Sequence, residues 1–292
     1  GEASMGLREG EVLSVRDLLY GMMLQSGNDA AVALAEAVAG SEKEFVDMMN
    51  EFARDVGAKD THYVNPHGLH DENHYSSAYD LALIAREGLK LPEFRNIVAT
   101  RMVPISRQGR SRPQLLVNKN RLLTGDKEYY PYADGIKPGY TTAAGNCLVS
   151  SATRDGWTLL AVVLNSPDVY AESKELLEWG FTTFKRTPVL EAGKLVRVIK
   201  VDKGREDTVA VITGGSLSVP LLPREKSELK QQVILPNTVT APVKKGEWLG
   251  EIRVFMDKKQ VATVDLVARE AVKKKSFVIS VWQALIAILT FQ

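Results

Sequence analysis

Leu24-Gln25-Ser26-Gly27-Asn28-Asp29-Ala30-Ala31-Val32-Ala33-Leu34-Ala35 joins a Ser-x-Asn triplet to an alanine-rich apolar run. Upstream, Ser14 and Asp17 make a capping-box-like start, and Val15, Leu18, Leu19, Met22 and Met23 recur at helical spacing. The spacing predicts a helix that delivers Ser26-Gly27-Asn28 at its end. Downstream, Asp29 to Ala39 reads as a second helix, apolar on most sides as in a segment buried within a domain, with Gly40 able to stop it. A third helix opens on Ser41 and Glu44 and carries Phe45, Met48, Met49, Phe52 and Val56 along one face to Gly57.

Further out, Ser77 with Asp80 opens a helix through Leu81, Ile84 and Ala85 that closes near Pro92; the stretch from there to about Tyr132 is mixed and loop-rich. From Ile136 the pattern turns to β. Cys147 to Thr153 and Trp157 to Leu164 flank Arg154-Asp155-Gly156, a hairpin signature, and Glu172 to Lys185 returns to helix. Helices, an antiparallel sheet and a closing helix make an α+β domain over residues 1–186. Thr187-Pro188 reads as a linker. Short strands at Leu195 to Val201, Thr208 to Ile212, Lys230 to Leu235, Trp248 to Phe255 and Gln260 to Val267 then predict a small β-rich domain over 187–272.

Residues 273–292 begin with three lysines and end in the apolar run Ser276 to Gln292. These 17 residues reach roughly 25 Å as a helix, short of the ~30 Å hydrocarbon layer. An amphipathic helix lying in the membrane interface through Phe277, Trp282, Leu285 and Ile288 fits better than a span, with the lysines facing anionic headgroups. The alternative is a helix packed on the β-rich domain. Lys plus Arg total 37 against 36 Asp plus Glu, a net charge of +1, which offers no electrostatic footprint for nucleic acid. Cys147 is the single cysteine, so no disulfide can form within the chain. The polar opening at Gly1 shows no signal-peptide core and reads as internal, with sequence expected upstream.

Ser26-Gly27-Asn28 and Lys137-Pro138-Gly139 are weak motifs singly. Their setting is specific: the stretch quoted first is followed in order by Asn65-Pro66-His67-Gly68-Leu69, His74-Tyr75-Ser76-Ser77-Ala78-Tyr79-Asp80-Leu81-Ala82 and Asp134-Gly135-Ile136-Lys137-Pro138-Gly139-Tyr140-Thr141. Over residues 1–186 this order resembles the serine D-Ala-D-Ala carboxypeptidases, low-molecular-mass penicillin-binding proteins. The resemblance implies a penicillin-recognising, transpeptidase-like fold and three motifs in one cleft: Ser-x-x-Lys, Ser-x-Asn and Lys-Thr-Gly. It also implies that Ser26 relays a proton to the leaving D-Ala amine, Asn28 holds the substrate amide and Lys137 stabilises developing negative charge. Gly139, Thr141 and Thr142 would line the substrate strand. No cofactor and no metal are implied. The expected partners are a peptidoglycan stem peptide and β-lactam inhibitors, on the outer face of the inner membrane.

Three features depart from that pattern. The chain's one Ser-x-x-Lys, Ser227 to Lys230, follows the other motifs instead of preceding them, so the nucleophile is expected upstream of Gly1 and this chain alone should not form an acyl-enzyme. Pro138 stands where the family has threonine, which removes a hydroxyl and a backbone donor for the substrate carboxylate. Asp168-Val169-Tyr170 occupies the place of an arginine that the family uses for the same carboxylate. An inactive wall-binding relative is therefore the second reading. A metal-dependent hydrolase is the third, raised by His62, His67, His70 and His74 in one short loop, although their spacing is no zinc signature and Pro66 and Gly68 argue for a structural loop.

Overall fold

The computed structural model describes residues 3–222 and 225–275, which divide into two units after Thr182. In the first, helix α1 (Val15–Gln25) starts where the Ser14 hydroxyl accepts from the Asp17 N–H at 3.1 Å. Helix α2 (Asn28–Ala39) follows after two residues and ends at Gly40, in the left-handed conformation. Helices α3 (Glu42–Asp55) and α4 (Ala78–Gly88) begin in the same way, with Ser41 accepting from Glu44 N–H and Ser77 from Asp80 N–H, both at 3.2 Å. Each cap satisfies an N–H that has no partner within its helix.

The stretch expected to be loop-rich is structured. Pro92 does not close α4 but starts α5 (Pro92–Ala99), since proline at a first helical position gives up only an N–H that no carbonyl needs. Strands β1 (Met102–Ile105) and β2 (Gln114–Val117) pair antiparallel, and a single helical turn, α6 (Arg121–Thr124), follows. Four-residue strands are too short to display alternation in the sequence. The expected sheet forms as β3 (Ala133–Thr141), β4 (Gly145–Arg154) and β5 (Trp157–Val163), antiparallel in that order, with Asp155 and Gly156 both at positive φ in the β4–β5 turn. Helix α7 (Val169–Thr183) closes the unit. Its Leu177 packs with Leu148 of β4 and Leu122 of α6 in one core.

In the second unit Thr187-Pro188, read from the sequence as a linker, lies inside β6 (Lys185–Leu190). Strands β7 (Leu195–Asp202), β8 (Thr208–Thr213), β9 (Leu217–Leu221), β10 (Lys230–Ile234), β11 (Thr238–Thr240), β12 (Trp248–Met256) and β13 (Lys259–Ala268) complete it. One ladder pairs β6 with β9; the main sheet has the order β10-β12-β13-β8-β7-β11. Val209, Val211, Val254 and Leu266 fill its core, as the alternating pattern along each strand requires. Among the described residues no helix is long and apolar enough to cross a membrane. The expected amphipathic helix at Ser276 to Gln292 lies outside them.

Candidate active site

Ser26 caps α1 with φ 60° and ψ 35°, and its N–H and that of Gly27 both turn back to the Gly21 carbonyl. This left-handed residue reverses the chain between α1 and α2 so tightly that a side chain at Gly27 has no room. A Cβ there would stand 3.0 Å from Asp29 Oδ1 and 3.3 Å from both Gly21 O and Met5 N. The turn is stitched to the segment before α1: Asn28 N–H donates to Ala3 O, and the Asp29 carboxylate accepts from Ser4 Oγ, Met5 N and Leu7 N at 2.6, 3.0 and 2.9 Å. Burial works against the Asp29 charge, but these donors outweigh it and hold its pKa below the usual carboxylate range.

Lys137 arrives on β3, an edge strand of the three-stranded sheet. Met23 of α1, Val98 of α5 and Ile136 of β3 share a small core, which fixes their neighbours Ser26 and Lys137 against each other. Gly135 is required here because a Cβ would come within 2.8 Å of Val98 Cγ2. Lys137 Nζ donates to Ser26 Oγ at 2.7 Å and lies 3.3 Å from the Pro138 carbonyl. Burial, seconded by the charge of Lys119, lowers the Lys137 pKa to about 8. An ammonium that donates into the Ser26 oxygen leaves the hydroxyl hydrogen free for another acceptor.

Of the residues singled out in the sequence, Ser26 and Lys137 are in direct contact, across 111 positions of chain. Asn28 opens α2 two residues beyond Ser26 and is partly exposed. Gly139 and Thr141 continue along β3 and Thr142 begins the β3–β4 turn, where Thr141 Oγ1 accepts from Ala144 N–H at 3.0 Å. An edge strand tolerates Pro138 when its missing N–H would point away from the ladder. Before α7, Asp168 accepts from Ala171 N–H and Glu172 from the Ser166 hydroxyl, so both carboxylates serve the helix start. The histidines are tied into their own loop. His67 and His74 accept backbone N–H groups at Nδ1, and His62 Nδ1 meets the Asn73 carbonyl at 2.6 Å. Among the described residues no three His, Cys, Asp or Glu side chains are grouped to hold a metal ion. A surface depression lined by Asp47, Met48, Asn50, Glu51, Arg54 and His62 involves none of the motif residues. Sequence reasoning missed Asp29 as the clamp of the turn and Lys119 as a neighbour of Lys137, because both roles rest on contacts between distant segments.

An α+β domain that sets a Ser-x-Asn turn against a strand lysine, with a mostly β domain after it, is the layout of penicillin-recognising, transpeptidase-like proteins. Residues 1–168 match the family described as D-alanyl-D-alanine carboxypeptidase, and residues 184–274 match the penicillin-binding protein 5 C-terminal domain. The D-alanyl-D-alanine carboxypeptidase DacF of Bacillus subtilis is 34% identical over 285 residues, spanning 94% of this chain and 72% of the relative. The D-alanyl-D-alanine carboxypeptidase DacD of Escherichia coli is 35% identical, spanning 94% and 70%. The structure of penicillin binding protein 5 from Haemophilus influenzae superposes with a TM-score of 0.70 at 34% identity, covering 94% of this chain and 78% of that one. The chain belongs to the D-alanyl-D-alanine carboxypeptidase family of low-molecular-mass penicillin-binding proteins.

Proposed function

We propose that this chain carries the proton-relay and substrate-holding part of a serine D-Ala-D-Ala carboxypeptidase acting on peptidoglycan stem peptides. The observation that carries the reading is the 2.7 Å contact of Lys137 Nζ with Ser26 Oγ. In the proposed reaction a serine oxygen attacks the penultimate D-Ala carbonyl and gives its proton to the lysine of the same Ser-x-x-Lys, which returns it through the Ser26 hydroxyl. The bond to the terminal D-Ala nitrogen then breaks, and Ser26 passes a proton to that nitrogen so that D-Ala leaves as a neutral amine. Water hydrolyses the ester and restores the serine. Lys137 stabilises the negative charge that develops, and Asn28 holds the substrate amide. No cofactor enters the scheme. β-Lactams, which mimic the D-Ala-D-Ala terminus, would acylate the same serine.

The proposed mechanism calls for a Ser-x-x-Lys that precedes Ser26 in the sequence. The one such motif in the chain ends in β10, in the second unit. The coding DNA upstream of Gly1 should therefore encode Ser-x-x-Lys and a secretion signal. The product of that whole reading frame should release D-Ala from diacetyl-L-Lys-D-Ala-D-Ala, and Ser26→Ala should slow release by about a hundredfold or more. No release by the unmutated protein sinks the proposal. Pro138 and Asp168-Val169-Tyr170, at positions where the family has threonine and arginine, favour a second reading as an inactive wall-binding relative. An upstream frame without the serine would select it. The wall substrate argues for a place outside the cytoplasm, on the outer face of the inner membrane. The anchoring part of that proposal is tested by deleting Ser276 to Gln292, which should move the protein from the membrane pellet to the soluble fraction.

A further inference from the structure

Resting on the proposed reaction, we infer that Lys119 is a specificity residue: its ammonium binds the free C-terminal carboxylate of the peptide, a task left open by Pro138 and by the missing arginine before α7. The geometry comes from the backbone. Lys119 N–H donates to the Leu24 carbonyl at 3.0 Å, and Gln25 Nε2 donates to the Val117 carbonyl at 2.6 Å. These two bonds tie the segment after β2 to the last turn of α1, immediately before Ser26. The flanking residues are rigid. Asn118 is buried and donates to the Val98 and Thr100 carbonyls, and buried Asn120 accepts from Leu122 N–H. Between these two fixed asparagines Lys119 is exposed, and no carboxylate among the described residues forms an ion pair with it.

Its charge is the second cause, after burial, of the lowered Lys137 pKa, in keeping with the backbone bond that sets Lys119 beside the last turn of α1. Lys137 is already committed to Ser26 Oγ, whereas Lys119 is free. Two cations with no anion between them repel, and a carboxylate entering beside Ser26 relieves that repulsion while gaining a charge-assisted hydrogen bond. Two groups that the family uses for this carboxylate are replaced here. Pro138 has neither hydroxyl nor N–H to donate, and Asp168 is an anion that repels a second carboxylate.

Calorimetric titration with diacetyl-L-Lys-D-Ala-D-Ala and with its C-terminal amide tests this in the full 292-residue chain, its Lys119→Gln variant and its Lys119→Arg variant. The unmutated chain should bind the acid about tenfold more tightly than the amide, as expected for one charge-assisted contact at an accessible site. Lys119→Gln should abolish that preference by weakening the acid alone, and Lys119→Arg should restore it. A preference for the acid that persists in Lys119→Gln overturns the inference and leaves the proposed reaction standing. Failure of the unmutated chain to bind either peptide also overturns the inference, whereas the proposed reaction stands or falls on D-Ala release by the whole reading-frame product. Equal weakening of acid and amide in a normally melting Lys119→Gln shows a structural role and overturns the inference alone.

Discussion

Lys137 holds its charge in a half-buried position with a second lysine nearby, and this gives it a titration of its own. Its pKa of about 8 lies below the unfolded lysine value. Below pH 8 the group is charged in both states and burial of the charge costs stability. As pH rises from 8 into the ordinary lysine range the folded state sheds its proton first, and that cost fades. Nitrogen NMR of the lysine side chains should therefore find one group titrating near pH 8, and Lys119→Gln should move it upward by removing a like charge. A Lys137 signal that titrates with the other lysines contradicts the assigned environment. Neither lysine's role was fully legible in the sequence. The order of the motif blocks pointed to Lys137, but Lys119 sits in a stretch without periodicity, and bonds between distant segments, from its N–H to Leu24 O and from Gln25 Nε2 to Val117 O, set it beside the end of α1.

At the scale of elements, local chemistry predicted most of what forms. Serine caps three residues ahead of an acidic residue marked α1, α3 and α4 because that bond is made within one turn. Helix α5 and the short strands β1 and β2 were not legible, since Pro92 reads equally as a stop and a start and four-residue strands carry no period. Linkage between elements was equally hidden. Asp80, buried at the start of α4, accepts from Asp60 N–H at 2.7 Å and Thr61 Oγ1 at 2.8 Å and so anchors the histidine loop. Asp80→Ala leaves these donors without their partner and should lower unfolding free energy by about 1–3 kcal/mol in a denaturant titration. An unchanged midpoint would show that the anchor is dispensable.

Over the whole molecule, each unit has its own apolar core, and the switch from helical periodicity to alternation announced the second one in the sequence. The same switch misplaced a linker at Thr187-Pro188, because proline and threonine are also tolerated in a two-stranded ladder such as β6–β9. Leu266 is fully buried in the second core, and Leu266→Ala should destabilise that unit by about 2–5 kcal/mol while leaving the Lys137 titration where it was. A shifted titration would show that the two cores do not act separately. The central claim is that Ser26 and Lys137 form the working half of an acyl-transfer site. Time-resolved labelling of the whole reading-frame product with fluorescent penicillin tests it most directly, alongside Lys137→Gln checked for an unaltered melting temperature. The account predicts a covalently labelled band whose formation slows by about a hundredfold or more in Lys137→Gln. An unlabelled parent protein, or a variant labelled at the parent's rate, would contradict it.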